Sequence, residues 1–193
     1  MHWHLHLLEM SKLEKLDIGV VVERRKIDHP WQEWEWKPVG VFVGAIAQDH
    51  WVTIGEGDGW THFHAATMPL ELHRKETEGY VHNLDTGTPS VYVVMREDED
   101  GETGQPYYIS LVTVNPYEAQ DYLDTGEEIV ERVAMPEPVL AWMQNFIDQH
   151  HVEEKFVKRK RDKVKVEDYK FGQEPLAELR KRVPQPQENE PNG

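Results

Sequence analysis

Two β-rich runs, Ser90 to Met95 and Tyr107 to Val114, are joined by Glu97-Asp98-Glu99-Asp100-Gly101-Glu102-Thr103-Gly104, and no other feature constrains the fold as strongly. β-Branched and aromatic side chains fill a pleated surface, and a charged connection with two glycines lets the chain reverse. The pair reads as an antiparallel hairpin over about 88–114, at the centre of a sheet. Ile18 to Glu23 and Val39 to Ala47 add two more strands, the second with Gly44 as a bulge candidate. Between them, His29-Pro30-Trp31-Gln32-Glu33-Trp34-Glu35-Trp36-Lys37-Pro38 is bracketed by prolines, which remove backbone donors and predict a connection rather than a central strand. Gly55, Gly57 and Gly59 mark a turn, after which Trp60, His62 and His64 alternate with Thr61 and Phe63 as on a strand.

Helical spacing appears in three places. Thr77, Tyr80, Val81 and Leu84 share one helical face, stopped by Asp85-Thr86-Gly87. Asn115-Pro116 combines a capping side chain with a proline at the first helical position, and Gly126 ends that segment before a return strand over Glu127 to Val133. From Pro136, the residues Val139, Trp142, Met143, Phe146, Ile147 and His150 form an apolar stripe that should pack on the sheet. The expected architecture is α+β: a mainly antiparallel sheet or small barrel with a few helices, including a packed C-terminal helix.

Charge divides the chain. Residues 1–152 hold 10 basic and 27 acidic side chains, a balance of −17, whereas 153–193 hold 11 and 9, a balance of +2. The second stretch closes on Pro184, Pro186 and Pro191 with few apolar residues, so the expected organisation is an N-terminal tail over 1–17, one domain over 18–152 and a basic-to-polar flexible tail over 153–193. The acidic body repels phosphate backbones and argues against nucleic acid. With no cysteine, disulfides, thiolate metal sites and cysteine nucleophiles are excluded. No apolar run approaches the roughly 20 residues that span a bilayer, and Met1-His2-Trp3-His4 lacks the basic-then-apolar order of a secretory signal, which together predict a cytoplasmic protein.

Candidate functional residues are few. His62 and His64, two apart on a strand, project to one face and form the best metal-ligand pair, although an imidazole beside Trp60 is as readily satisfied by local hydrogen bonds. Trp31, Trp34 and Trp36 lie among Glu33, Glu35 and Lys37, so their indole surface either packs internally or faces a partner. Lys158, Arg159, Lys160, Arg161 and Lys163 make a basic run suited to steering an acidic partner. Gly55-Glu56-Gly57-Asp58-Gly59 is glycine-dense, but its two acids oppose phosphate, and no phosphate loop, nucleophile elbow or dinucleotide fingerprint occurs. No cofactor is named by these residues.

Three stretches together resemble a bacterial family of small uncharacterised proteins: Val21-Val22-Glu23-Arg24-Arg25-Lys26-Ile27-Asp28-His29-Pro30-Trp31; then His64-Ala65-Ala66-Thr67-Met68-Pro69-Leu70-Glu71-Leu72-His73-Arg74 with Pro89-Ser90-Val91-Tyr92-Val93-Val94; and Asn115-Pro116-Tyr117-Glu118-Ala119-Gln120-Asp121-Tyr122. The likeness spans about residues 18–165. Members of that family are encoded beside formate dehydrogenase and other molybdoenzyme genes, and often carry the label molybdopterin-guanine dinucleotide biosynthesis protein A. The resemblance thus implies a molybdoenzyme context and supplies no site residues. The label itself conflicts with the residues, because a guanylyltransferase needs a glycine-rich loop followed by Arg or Lys, and Ile18 to Glu23 runs instead into Arg24-Arg25-Lys26-Ile27-Asp28-His29-Pro30. The expected role is a non-catalytic accessory or maturation protein binding a molybdoenzyme subunit, or its electron-transfer partner, through Trp31, Trp34, Trp36 and the basic run. The alternative is a metal-dependent enzyme or small-ligand binder using His62 and His64.

Overall fold

The computed structural model describes residues 13–47 and 50–152, all within one unit, Met1–Glu153. It contains two antiparallel sheets and three helices. The first sheet is built on β1 (Leu13–His29), whose 17 residues pair on one side with β2 (Gln32–Val43) and on the other with β4 (Trp60–His73). β3 (Val52–Gly57) joins the far side of β4, giving the order β2-β1-β4-β3. The second sheet has β5 (Ser90–Glu97) at its centre, flanked by β6 (Tyr107–Thr113) and β7 (Ile129–Ala134). The sheets meet with β2 against β7 and β4 against β6.

The alternation along β1 explains which face is inside. Ile18, Val20 and Val22 are fully buried against the second sheet's Val91, Val93 and Met95. Gly19 lies on the opposite face, where the Phe42 ring and Ala45 occupy the space a Cβ would need. α1 (Thr77–Asp85), α2 (Pro116–Thr125) and α3 (Glu137–His150) pack on the same core, with Val139, Met143, Phe146 and Ile147 of α3 buried alongside Leu70, Leu72 and Tyr80. Trp142 Nε1 donates to Glu14 Oε2 at 2.8 Å, tying α3 to the start of β1. Asn115 caps α2 through Oδ1, which accepts from Tyr117 N at 3.0 Å, and Gly126 leaves the helix at φ +70°.

The α+β class and the packed C-terminal helix are as expected from the sequence. Four details differ. β1 begins at Leu13, so residues 13–17 belong to the sheet and not to a tail. The segment 29–38 is the turn and first half of a strand: β2 is an edge strand, where Pro38 can pair with Val22 without a ladder donor. Gly44 ends the strand at φ +80°, while the bulge falls at the register shift opposite Val21 and Val22. Finally, the 90–113 hairpin does not centre one large sheet, because β6 is the edge of a separate three-stranded sheet.

Candidate functional site

Where β1, β2 and β4 run past the interlayer core, their inward face changes from aliphatic to aromatic and carries the Arg24 guanidinium. The register places Arg24 opposite Trp36 on β2 and opposite Thr61 on β4, with Lys26 opposite Trp34 and Val22 opposite Phe63. Cross-strand partners share a face, so the Glu33-Trp34-Glu35-Trp36-Lys37 alternation sends both indoles inward beside Arg24 and the charges outward. The guanidinium carbon lies 4.6 Å from the Trp34 ring, 5.7 Å from Trp36 and 5.5 Å from Phe63. Its Nη2 donates to Thr61 Oγ1 at 3.2 Å, and its Nε is buried without a hydrogen-bond partner. Around this box, Trp36 contacts Phe63, Trp51 and Tyr107 with centroids 5.9, 5.8 and 6.3 Å apart. Burial, followed by the charge of Glu97, pushes the Tyr107 phenol upward.

Trp31 lies outside this cluster. His29 pairs with Gln32, so Pro30 and Trp31 form a two-residue turn at the hairpin tip, where Trp31 is 90% exposed. Lys26 N donates to Gly59 O at 2.7 Å, joining this arm to the Asp58-Gly59 turn between β3 and β4. The three tryptophans considered together from the sequence therefore separate: Trp31 is free surface, Trp34 is half-buried beside Arg24, and Trp36 is part of the internal aromatic packing. Lys158, Arg159, Lys160, Arg161 and Lys163 lie outside the described residues.

His62 and His64 do project to one face, the outer face of the first sheet, but they take different partners. His62 Nε2 meets Glu23 Oε2 at 2.9 Å under the Trp60 ring, 4.6 Å between centroids. Glu23 also accepts from Arg25 Nε at 2.7 Å and Nη2 at 2.8 Å. The Arg25 hydrogen bond, with that from His62, holds the Glu23 carboxyl below its usual range against the opposing effect of burial. His64 is buried by Phe42, and its Nε2 contacts Ala66 O and Thr67 Oγ1, each at 3.1 Å. Among the described residues, no group of three or more His, Asp or Glu is placed to hold a metal ion.

Apart from this cluster, a recess of about 940 Å³ opens between the β5–β6 connection and Glu127–Glu128 and is lined by acids with Arg96 and Tyr108. Two of its carboxylates already have internal partners. Asp98 accepts from the backbone of Gly101, Glu102 and Thr103 and from the Thr103 hydroxyl, which lowers its pKa, while Arg96 Nη2 binds Glu128 at 2.5 Å.

Sequence reasoning missed Arg24. The available signal was parity: Arg24 continues the Ile18, Val20, Val22 series, and a cation at the end of an inward-facing apolar series needs an unusual neighbourhood. Among the described residues no helix is long and apolar enough to cross a membrane. A family model described as a protein of unknown function (DUF3305) matches residues 17–160. No curated protein and no solved structure matches the chain.

Proposed function

We propose that this chain, which belongs to the DUF3305 family of proteins of unknown function, is a non-catalytic accessory protein that binds a molybdoenzyme subunit of the formate dehydrogenase type or its electron-transfer partner. The observation that carries the binding role is the exposed indole of Trp31 at the end of a paired and braced hairpin. A large apolar ring held in water by a rigid arm loses little further entropy when a partner covers it, which is why tryptophan concentrates binding energy at interface centres. The partner class comes from the resemblance to proteins encoded beside molybdoenzyme genes. The acidic body, 27 acids against 10 bases over residues 1–152, favours a partner face that is basic around an apolar pocket.

Affinity capture from the native cell, with recovered proteins identified by mass spectrometry, tests this reading. Trp31→Ala should lower recovery of the molybdoenzyme partner about tenfold or more, as loss of an interface anchor does, while leaving the fold intact. Equal recovery by Trp31→Ala, or capture with no molybdoenzyme component, would overturn it. Trp36→Ala is a poorer probe, because that ring also packs against Phe63, Trp51 and Tyr107.

A further inference from the structure

From the Arg24 box we infer a binding site for a singly charged carboxylate carried on an apolar or aromatic group, with the guanidinium reading the carboxylate and Trp34 and Trp36 facing the apolar part. This site is independent of Trp31 and of the partner reading above.

Three observations support it. The first is the lack of an acidic partner where several other cations have one: Lys15 pairs with Glu71, Arg25 with Glu23, Lys37 with Glu131 and Arg96 with Glu128. Among the described residues Arg24 takes no carboxylate, although acids outnumber bases 27 to 10 over residues 1–152. A guanidinium placed among rings instead of acids keeps its charge uncompensated, and cation–π contacts replace only part of its lost hydration.

The second is the unmet hydrogen-bond capacity. Of five N–H donors, one on Nη2 reaches Thr61 Oγ1, and the buried Nε has no acceptor. The planar fork matches a carboxylate in shape, and neighbouring rings lower the local dielectric, so an ion pair here is stronger than one on open surface.

The third is charge selection. A body with a balance of −17 repels multiply charged anions over long range, whereas a monoanion pays the smallest penalty and gains the same local contact. The half-buried indoles supply the matching apolar surface. Dianionic phosphate and nucleic acid are disfavoured on the same argument.

The test follows the indole N–H signals of the seven tryptophans by proton–nitrogen NMR, with Trp34→Phe and Trp36→Phe assigning two of them. N-acetylphenylalanine should shift the Trp34 and Trp36 signals saturably, and N-acetylphenylalanine amide, which lacks the charge, should not. Arg24→Lys should weaken binding about tenfold by keeping the charge and losing the fork, and Arg24→Gln should abolish saturation. Equal saturation by the amide, by inorganic phosphate, or by Arg24→Gln with the acid would overturn the proposal. The acid–amide comparison on the unaltered chain decides the matter even where Arg24→Gln fails to fold. 3-Phenylpropionate separates the sources: tighter binding of N-acetylphenylalanine assigns the carboxylate to a polypeptide C-terminus, and equal binding assigns it to a free acid. Trp31→Ala should leave every one of these titrations unchanged, so the two proposals fail separately.

Discussion

Asn83 shows what one polar side chain contributes inside this molecule. It is fully buried, and its Nδ2 donates to Ser90 O at 2.8 Å and Val114 O at 2.7 Å while its Oδ1 accepts from Ser90 N at 3.0 Å. The side chain thereby satisfies backbone groups where β5 starts and where β6 runs into α2. Asn83→Ala leaves those groups buried and unpaired, each costing about 1–3 kcal/mol, so urea denaturation should show a loss of about 3 kcal/mol or more. Asn83→Asp should be at least as damaging, since it turns a carboxylate oxygen towards two carbonyls. The sequence pattern put Thr77, Tyr80, Val81 and Leu84 on the inward face of α1, but the buried residues are Thr77, Gly79, Tyr80 and Asn83. Counting apolar residues finds the core-facing side, since Val81 and Leu84 also pack against the core, but it misses the deepest position, which is a satisfied amide, and Gly79, which is buried where the Asn115 side chain occupies the place of a Cβ. Arg24 was hidden for the same reason. Polar residues facing inward carry no periodic apolar signal, only a parity that gains meaning once the register is known.

At the scale of elements, the α2 cap, the α3 stripe and the 90–113 hairpin were legible because each depends on neighbours in sequence. Asn115, Pro116 and Gly126 perform the capping roles their chemistry suggests. The β1–β2 hairpin was not legible, since a proline reads as a breaker until the strand containing it is known to lie at an edge. Its bracing depends on a backbone position: Gly59 adopts φ +75° in the turn whose carbonyl accepts from Lys26 N. A side chain in that region costs about 1–2 kcal/mol, so Gly59→Ala should lower the urea midpoint by that equivalent and loosen the arm bearing Trp31. Gly40 is the control. It lies in β2 without a positive φ and with open space where a Cβ would go, so Gly40→Ala should be neutral or slightly stabilising by restricting the unfolded chain. Equal losses from both substitutions would show that the turn geometry is not what holds the arm.

For the whole molecule, local patterns establish strands and helices but not how strands divide between sheets, because a strand's own alternation fixes which face is buried and not which strand it pairs with. Charge, by contrast, is a property of the whole that composition reports directly, and it sets how stability responds to acid. Glu23, Glu71, Asp98 and Glu128 all have carboxyl groups held below their usual range, the largest causes being hydrogen bonds from Arg25, Lys15, Thr103 and Thr125 respectively. A group whose folded pKa lies below its unfolded one stabilises the fold above the unfolded value, about 4 for a carboxylate, and loses that contribution as pH falls through the folded value. Relief of the body's negative self-repulsion acts the other way and begins at higher pH, as the first exposed carboxylates take up protons. The urea midpoint should therefore change little between pH 7 and about pH 5, then fall steeply below about pH 4. Glu23→Gln separates the two effects. Glu23 is only 15% exposed at its side chain and holds both Arg25 and His62, so removing its charge should cost about 1 kcal/mol at pH 7. That difference should shrink as pH falls through the Glu23 pKa, because the native carboxyl then also becomes neutral. A deficit that stays constant down to pH 3 would mean that the side chain acts through packing, leaving the acid response to general self-repulsion.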